Sequence, residues 1–158
     1  MTVRTQENAK PLARYSAWQR RGDFIFMSGI IAVDPEAGHI IRGYDDLPDN
    51  ARKELGETGE FSVDFKEGPL KAQTWYIFDK IRSTIEGAGG EMKDVFKLVQ
   101  YFKSLEDFPN FNRVRRLFFP DVAPVSTVVE VSNMMPSSDV LIEIEATAYL
   151  PNNDTTKN

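Results

Sequence analysis

The sequence of 158 residues contains no cysteine and only one histidine, His39. Without cysteine the chain has no disulfide, no thiol nucleophile and no thiolate metal site. A lone histidine has no second histidine with which to form a ligand pair, so a structural or exposed role is favoured for it. We therefore expect neither a metal nor a cofactor.

Long apolar runs and an excess of basic residues are also missing. No stretch approaches the roughly 20 apolar residues that a membrane span needs, and the first 15 residues have no apolar core of a signal peptide. The formal net charge of −5 argues against a protein that binds the backbone of nucleic acids. We expect one domain over residues 1–158, cytoplasmic, with no membrane or nucleic-acid partner.

A strand–helix–strand unit over residues 94–131 organises the chain. The two strands are predicted at Val95–Lys103 and Val125–Val131, rich in β-branched and aromatic residues. Between them, apolar residues recur every three or four positions and so share one helical face. That face consists of Phe108, Phe111, Val114 and Phe118. The basic residues expected to stay in solvent are Arg113, Arg115 and Arg116.

The N-terminal part predicts a loose arm over residues 1–12 and then a β-hairpin. Its strands are expected at Ala13–Trp18 and Phe24–Val33, with a turn at Gln19–Gly22. The second strand is interrupted by Ser28-Gly29. This step indicates either the close approach of a backbone or ligand, or a bulge.

The middle of the chain is acidic and rich in turns. A turn at Asp34–Gly38 precedes residues 42–67, which form either an ordered surface flap with a short helical turn near Asp49–Leu55, or a lid or collar at a subunit boundary. The acidic residues lack an EF-hand spacing, which disfavours a metal site.

A helix is then predicted to begin at Pro69, with Gly87 as its C-terminal cap. Trp75 and Tyr76 lie off its apolar stripe and are either core residues or subunit contacts. The last residues, 151–158, are predicted to form a flexible tail.

The final strand places two carboxylates in line on one face. Alternation predicts that Ile142, Ile144, Ala146 and Ala148 meet the helices. Glu143 and Glu145 then face the other way, and we expect Ser126, Val128 and Glu130 on that same face. A monomer would expose this face to water.

Several segments together carry a resemblance to a known family, between about Tyr15 and Leu150. They are Gly22–Gly29, Asp34-Pro35, Gly38, Gly89-Gly90, Asp94-Val95, Leu105–Phe108, Asn112, Phe118-Phe119, Pro124, Glu130-Val131 and Ile142–Ala146. In order and spacing they resemble the RidA family, also called YjgF/YER057c/UK114, of enamine and imine deaminases. Residues 42–67 depart from that family as an acidic insertion.

The resemblance implies an α+β, chorismate mutase-like fold of order β-α-β-β-α-β, with helices on one face of the sheet, assembling as a barrel-like homotrimer. It implies hydrolysis of a reactive enamine or imine, such as 2-aminoacrylate, to a ketoacid and ammonia, in a cleft between subunits. Carried over by position, Glu143 handles the water as the catalytic group. The substrate-binding residues implied are Tyr15, Ser28, Gly29, Asn112, Ser126 and the backbone near Val128.

Ser126 is the important departure. The deaminase-active branch carries an arginine at this position, which grips the substrate carboxylate through two hydrogen bonds. Three explanations stay open: the substrate has no carboxylate there, another cation replaces the arginine, or the protein does not deaminate. The candidate cations are Arg14, Arg42 and Lys97.

Two functions of different class follow. The first is a hydrolase acting on an enamine, an imine or a related small conjugated metabolite, including 2-aminomuconate. The second is a non-catalytic trimer that binds a small metabolite in the same cleft. A purely structural partner protein is a third, less favoured hypothesis.

Overall fold

The structure is a computed structural model that describes residues 12–152. Its strands are β1 Trp18–Arg21, β2 Phe24–Met27, β3 Ile30–Ile31, β4 Val33–Asp34, β5 His39–Ile40, β6 Val95–Phe102, β7 Val125–Glu130 and β8 Ile142–Tyr149. Its α-helices are α1 Asp49–Glu54, α2 Phe61–Gly87 and α3 Phe108–Phe118. All of residues 1–11 and 153–158, which include most of the predicted arm and tail, lie outside the described part.

The main sheet has the strand order β1-β2-β8-β6-β7, with the short β3 also paired to β8, and β4 and β5 form a separate two-stranded sheet. The pairs are antiparallel except β6 with β7, which run parallel. Parallel neighbours need a crossover, and α3 supplies it between β6 and β7. The order of elements therefore differs from the β-α-β-β-α-β order that the resemblance implied, because α3 precedes β7 and β8 follows β7 directly. The mixed α+β class is as predicted.

The core lies between one face of this sheet and the helices α2 and α3. The alternation predicted for the last strand is confirmed, since Ile142, Ile144, Ala146 and Ala148 are all buried on the helix side. The predicted stripe of α3 packs there too, with Phe78 of α2 5.9 Å from Phe111 and 5.2 Å from Phe118 between ring centroids. Trp75 of α2 is a core residue as well.

The acidic segment folds onto this core instead of standing away from it. The short helix α1 confirms the helical turn predicted near Asp49–Leu55. Its buried apolar residues, together with those just before it, are Tyr44, Leu47, Ala51 and Leu55. Some of its charges are paired within the segment; Arg52, for example, donates two hydrogen bonds of 2.8 Å to Glu57.

The second helix begins eight residues earlier than predicted. We expected Pro69 at its first position, but α2 starts at Phe61 and contains Pro69 in its interior. The physical reason is Asp64, whose carboxylate accepts hydrogen bonds from the backbone N–H groups of Thr58 and Gly59 and so anchors the turn before the helix. Gly87, predicted as the C-terminal cap, is instead the last residue of α2; the cap is Ala88, and Gly89 is the residue with positive φ beyond it.

The N-terminal hairpin is shifted relative to the prediction. The segment before Trp18 is not a strand, and residues 19–21 belong to β1 instead of forming a turn. The turn is at Gly22, which has a φ of +57°. The predicted strand Phe24–Val33 is broken into β2, β3 and the start of β4. The turn at Asp34–Gly38 is confirmed, with Asp34 accepting from the N–H groups of Glu36 and Ala37.

None of the helices within residues 12–152 has the length and apolar character needed to cross a bilayer.

The side chain of Gln73 in α2 forms hydrogen bonds with the backbone of two other parts of the chain. The side chain is 1% exposed. Its Nε2 donates to the carbonyl oxygens of Ile41 (3.0 Å) and Asp139 (2.8 Å), and its Oε1 accepts from the N–H of Leu141 at 2.9 Å. It therefore fixes the chain after β5 and the entry to β8 against the helix.

We expect Gln73→Leu to lower the free energy of unfolding by about 2–4 kcal/mol, because three buried backbone groups lose their partner. Denaturant unfolding at one fixed protein concentration measures this change. Glu86→Gln, at an exposed position on the same helix, is the control and should change stability by less than about 0.5 kcal/mol. A Gln73→Leu protein as stable as that control would contradict the assignment.

Candidate active site

Glu143 lies on β8, on the sheet face that no helix covers. It pairs with Ile31 of β3 on one side and with Tyr101 of β6 on the other. Burial, and next the negative charge of Glu145, raise the pKa of the Glu143 carboxyl above its usual range. Such a carboxylate is a stronger base than an exposed one, as a general base requires.

A β-bulge opposite β8 makes room for this carboxylate. Phe26 pairs with Thr147 and Ile30 with Ile144, so the first chain has one residue more than β8 between these pairs. The extra residue falls in the segment that contains Ser28 and Gly29. A Cβ on Gly29 would overlap Oε1 of Glu143 and lie 2.9 Å from its Cδ. Both sequence interpretations of the Ser28-Gly29 step hold here, since the segment bulges and a side chain of the same protein approaches it closely.

Ser28 and Tyr15 lie beside this bulge. The Ser28 hydroxyl donates to the carbonyl oxygen of Ser16 (2.6 Å), and its N–H donates to that of Ala17 (2.9 Å). Tyr15, Ser28 and Gly29 line one pocket, whose other walls include Trp18, Tyr76 and Lys80. Of the predicted site residues, Tyr15, Ser28 and Gly29 thus share this pocket, and Gly29 also lies against Glu143, which is not itself in the pocket lining. We refer to these four residues as the Glu143 group.

Ser126 belongs to a second group, on the other face of the sheet. Its Oγ donates to Oε1 of Gln100 at 2.8 Å, and Nη1 of Arg115 lies 3.3 Å from the same Oγ. Nη2 of Arg115 donates to Oδ1 of Asn112 at 2.7 Å. Val128, also predicted, follows on the same strand and packs against the core. We refer to Asn112, Arg115, Ser126 and Val128 as the Ser126 group.

The expectation that Ser126, Val128 and Glu130 share the face of Glu143 is therefore wrong. Directly paired residues project to the same side, and the three pair in order with Leu98, Gln100 and Phe102, all buried under the helices. Lys97, Val99 and Tyr101 point the other way, as does Glu143. The side chains of Glu143 and Ser126 are thus separated by the thickness of the sheet, and by about 10 Å between β8 and β7.

The only histidine of the sequence lies in β5 and belongs to neither group. His39 is exposed, with Nε2 3.5 Å from Oδ1 of Asp46. Over residues 12–152 no three His, Asp or Glu side chains are grouped so that they could hold a metal ion.

Comparison with known proteins shows which family the chain belongs to. The family model described as Endoribonuclease L-PSP matches residues 56–150. A RutC family protein of Pyrococcus abyssi is 35% identical over 145 residues, covering 92% of this chain and 93% of the relative. The chain belongs to the RidA (YjgF/YER057c/UK114) family. A solved structure from Klebsiella pneumoniae, named as a candidate endoribonuclease, is 58% identical with a TM-score of 0.85 and covers 87% of this chain and 100% of its own. The 3-aminoacrylate deaminase RutC of Acinetobacter baylyi is 26% identical over 140 residues, 89% of this chain and 90% of the relative.

In this RidA-family chain the cation nearest Ser126 is one that the sequence analysis missed. Arg42 is bound to Asp139 at 3.2 Å, Lys97 points to the opposite sheet face, and Arg14 lies in the exposed segment before β1. Arg115 was expected to stay in solvent with Arg113 and Arg116, yet it is partly buried. Its spacing of three from Asn112 and four from Phe111 was the available signal, since such residues share a helical face.

We expect Gly29→Ala to leave the fold intact but to displace the Glu143 carboxylate, because the new methyl group would occupy its place and the carboxylate can rotate away. The free energy of unfolding should change by less than about 1.5 kcal/mol. A crystal structure or NMR titration should show Glu143 moved and its pKa changed. Gly43→Ala is the control, since a Cβ there meets no atom within 4 Å. An unmoved Glu143 in Gly29→Ala would contradict the close approach.

Proposed function

We propose that this chain is a single RidA-like domain that assembles as a homotrimer and hydrolyses a reactive enamine or imine to a carbonyl compound and ammonia. The observation that carries the proposal is the Glu143 carboxylate, held at the Gly29 bulge with a raised pKa. The substrate cleft lies between two copies, with the Glu143 group from one and the Ser126 group from the next.

The uncovered face of the sheet supports an assembly of copies. Phe24, Phe26, Phe96 and Tyr149 form a cluster there, each 38–49% exposed. The Phe24 ring is 5.3 Å from Tyr149 and 6.1 Å from Phe96 between centroids. Clustered exposed aromatic rings are typical of interfaces. A closed ring of copies would cover this face identically in each of them.

The chemistry asks little of the protein, because an imine carbon is already electrophilic. Glu143 orients a water and takes its proton as the oxygen bonds to the imine carbon. The nitrogen then receives protons and leaves as ammonia while the carbonyl forms. An enamine first takes a proton at its β-carbon and becomes the imine.

The names of relatives point in two directions. One relative is named a deaminase of 3-aminoacrylate, itself an enamine, and this supports the proposal. The family model carries the name of an endoribonuclease. The net charge of −5 is a poor match to a polyanionic substrate, so we place the deaminase function first.

The second candidate is a non-catalytic trimer that binds a small metabolite in the same cleft. Ser126 favours it, because a serine hydroxyl does not replace a bidentate guanidinium clamp. The two candidates differ in product formation alone, so one assay separates them.

The assay is ammonia release from freshly generated 2-imino acids, 3-aminoacrylate and 2-aminomuconate. We expect turnover with at least one of them, and a loss of about 100-fold or more in kcat for Glu143→Gln, the usual scale of a general base. Glu145→Gln, two residues along the same face, is the matched control and should keep kcat when both variants are assayed at a pH above the acid limb of the profile. Ligand-induced thermal stabilisation without product would favour the binding protein instead.

The pH profile gives a second reading of the same assay. Glu143 must be deprotonated to act, so kcat/KM falls as the pH falls through its raised pKa. The charge of Glu145 contributes to that increase. Glu145→Gln therefore lowers the pKa of Glu143 and moves the acid limb to lower pH. A limb that stays in place, or turnover that survives in Glu143→Gln, would contradict the role of Glu143.

A further inference from the structure

Arg115 is held in a fixed position on α3. Its guanidinium carbon lies 5.3 Å from the centroid of Phe111 and 5.8 Å from that of Phe108, so the planar group packs on two aromatic rings. Its two terminal nitrogens donate to Ser126 and Asn112 as described. A guanidinium held by two aromatic rings and two hydrogen bonds is already in position before any ligand binds.

The charge of Arg115 has no carboxylate beside it. Among the described residues the ion pairs within 4.0 Å include Arg113 with Glu67 and Arg52 with Glu57, but none that involves Arg115. Burial, and next the charge of Arg116, lower the pKa of Arg115, although arginine stays protonated in proteins. Burying part of a cation without an anion beside it destabilises a fold, and binding of an anion would offset that desolvation cost.

A second unsatisfied group lies next to it. Gln100 is completely buried, and its Nε2 has no hydrogen-bond partner, while its Oε1 accepts from Ser126. If the amide were turned round, Oε1 would lose its partner instead, so one polar atom stays unpaired either way. Buried polar atoms without partners are rare, so the interior beside Ser126 holds an unpaired polar atom as well as the cation of Arg115.

We propose that Arg115, supported by Asn112 and Ser126, binds the carboxylate group of the substrate. The guanidinium has five N–H donors in a planar fork, which matches the two oxygens of a carboxylate. The cation at this site comes from the helix, and the strand contributes the small Ser126 that leaves space for it. The identity of the reaction rests on the proposed function, whereas the preference for a carboxylate does not.

The test compares pyruvate, the product expected from 2-iminopropanoate, with pyruvamide, in which an uncharged amide replaces the carboxylate. Titration calorimetry on the full chain should show that the wild-type protein binds pyruvate about 10- to 100-fold more tightly, the scale of a charge-assisted pair. Arg115→Gln should abolish that preference. Arg116→Gln, the exposed neighbour with the same charge change, should keep it.

A further variant separates binding from a merely structural role. Moving the guanidinium to the strand, in the double change Arg115→Gln and Ser126→Arg, should restore the preference for pyruvate. A loss of packing on Phe108 and Phe111 would weaken both ligands equally and would not be repaired from the strand.

The outcomes distinguish this inference from the proposed function. If the wild-type protein shows no preference for pyruvate, or Arg115→Gln retains it, the inference is overturned whatever the ammonia assay shows. If the preference depends on Arg115 while no ammonia is released from any substrate, Arg115 is a carboxylate site in a binding protein, and only the proposed reaction fails.

Discussion

Side chains of a β-strand point alternately to opposite faces of the sheet, and this constraint decides what one copy of the chain can do. Register pairs Glu143 with Tyr101 and Ser126 with Leu98, and these two residues of β6 face opposite ways. No rotation of side chains brings the carboxylate and the serine hydroxyl to the same side. A cleft that uses both must therefore draw them from two copies.

The two faces supply different chemical components. The helix face is rigid, because α3 is packed through Phe111 and Phe118 against Phe78, and it fixes the cation of Arg115 beside Ser126. The uncovered face holds the Glu143 carboxylate at a bulge and an aromatic cluster around Phe24. In our proposal, assembly excludes water from Arg115 and Glu143 together. This strengthens both the binding of the substrate by Arg115 and the basicity of Glu143.

Much of the fold could be predicted from the sequence, because the period of apolar residues is a local signal. The stripe of Phe108, Phe111, Val114 and Phe118 and the alternation of the last strand needed no knowledge of distant parts.

The faces of β7 could not be predicted in this way. Residues 125, 128 and 129 are all valine, so no alternation of apolar and polar residues shows which side of the strand is buried. The register with β6 depends on tertiary structure. The start of α2 was missed for a related reason, since Asp64 stabilises the turn before it through a contact that composition does not reveal. Arg115 was misjudged because arginine is usually exposed, whereas its planar group here packs on two phenylalanine rings.

The most direct test of a shared cleft is to mix two variants, Glu143→Gln and Arg115→Gln, by unfolding and refolding them together, after each alone is found to release little ammonia. In a closed ring formed at random from equal amounts, about one quarter of the clefts would combine an intact Glu143 from one copy with an intact Arg115 from the other. We predict that ammonia release from the mixture recovers to about that fraction of the wild-type rate, with mixed oligomers verified by native mass spectrometry. Mixed oligomers that form and yet remain inactive would contradict the account.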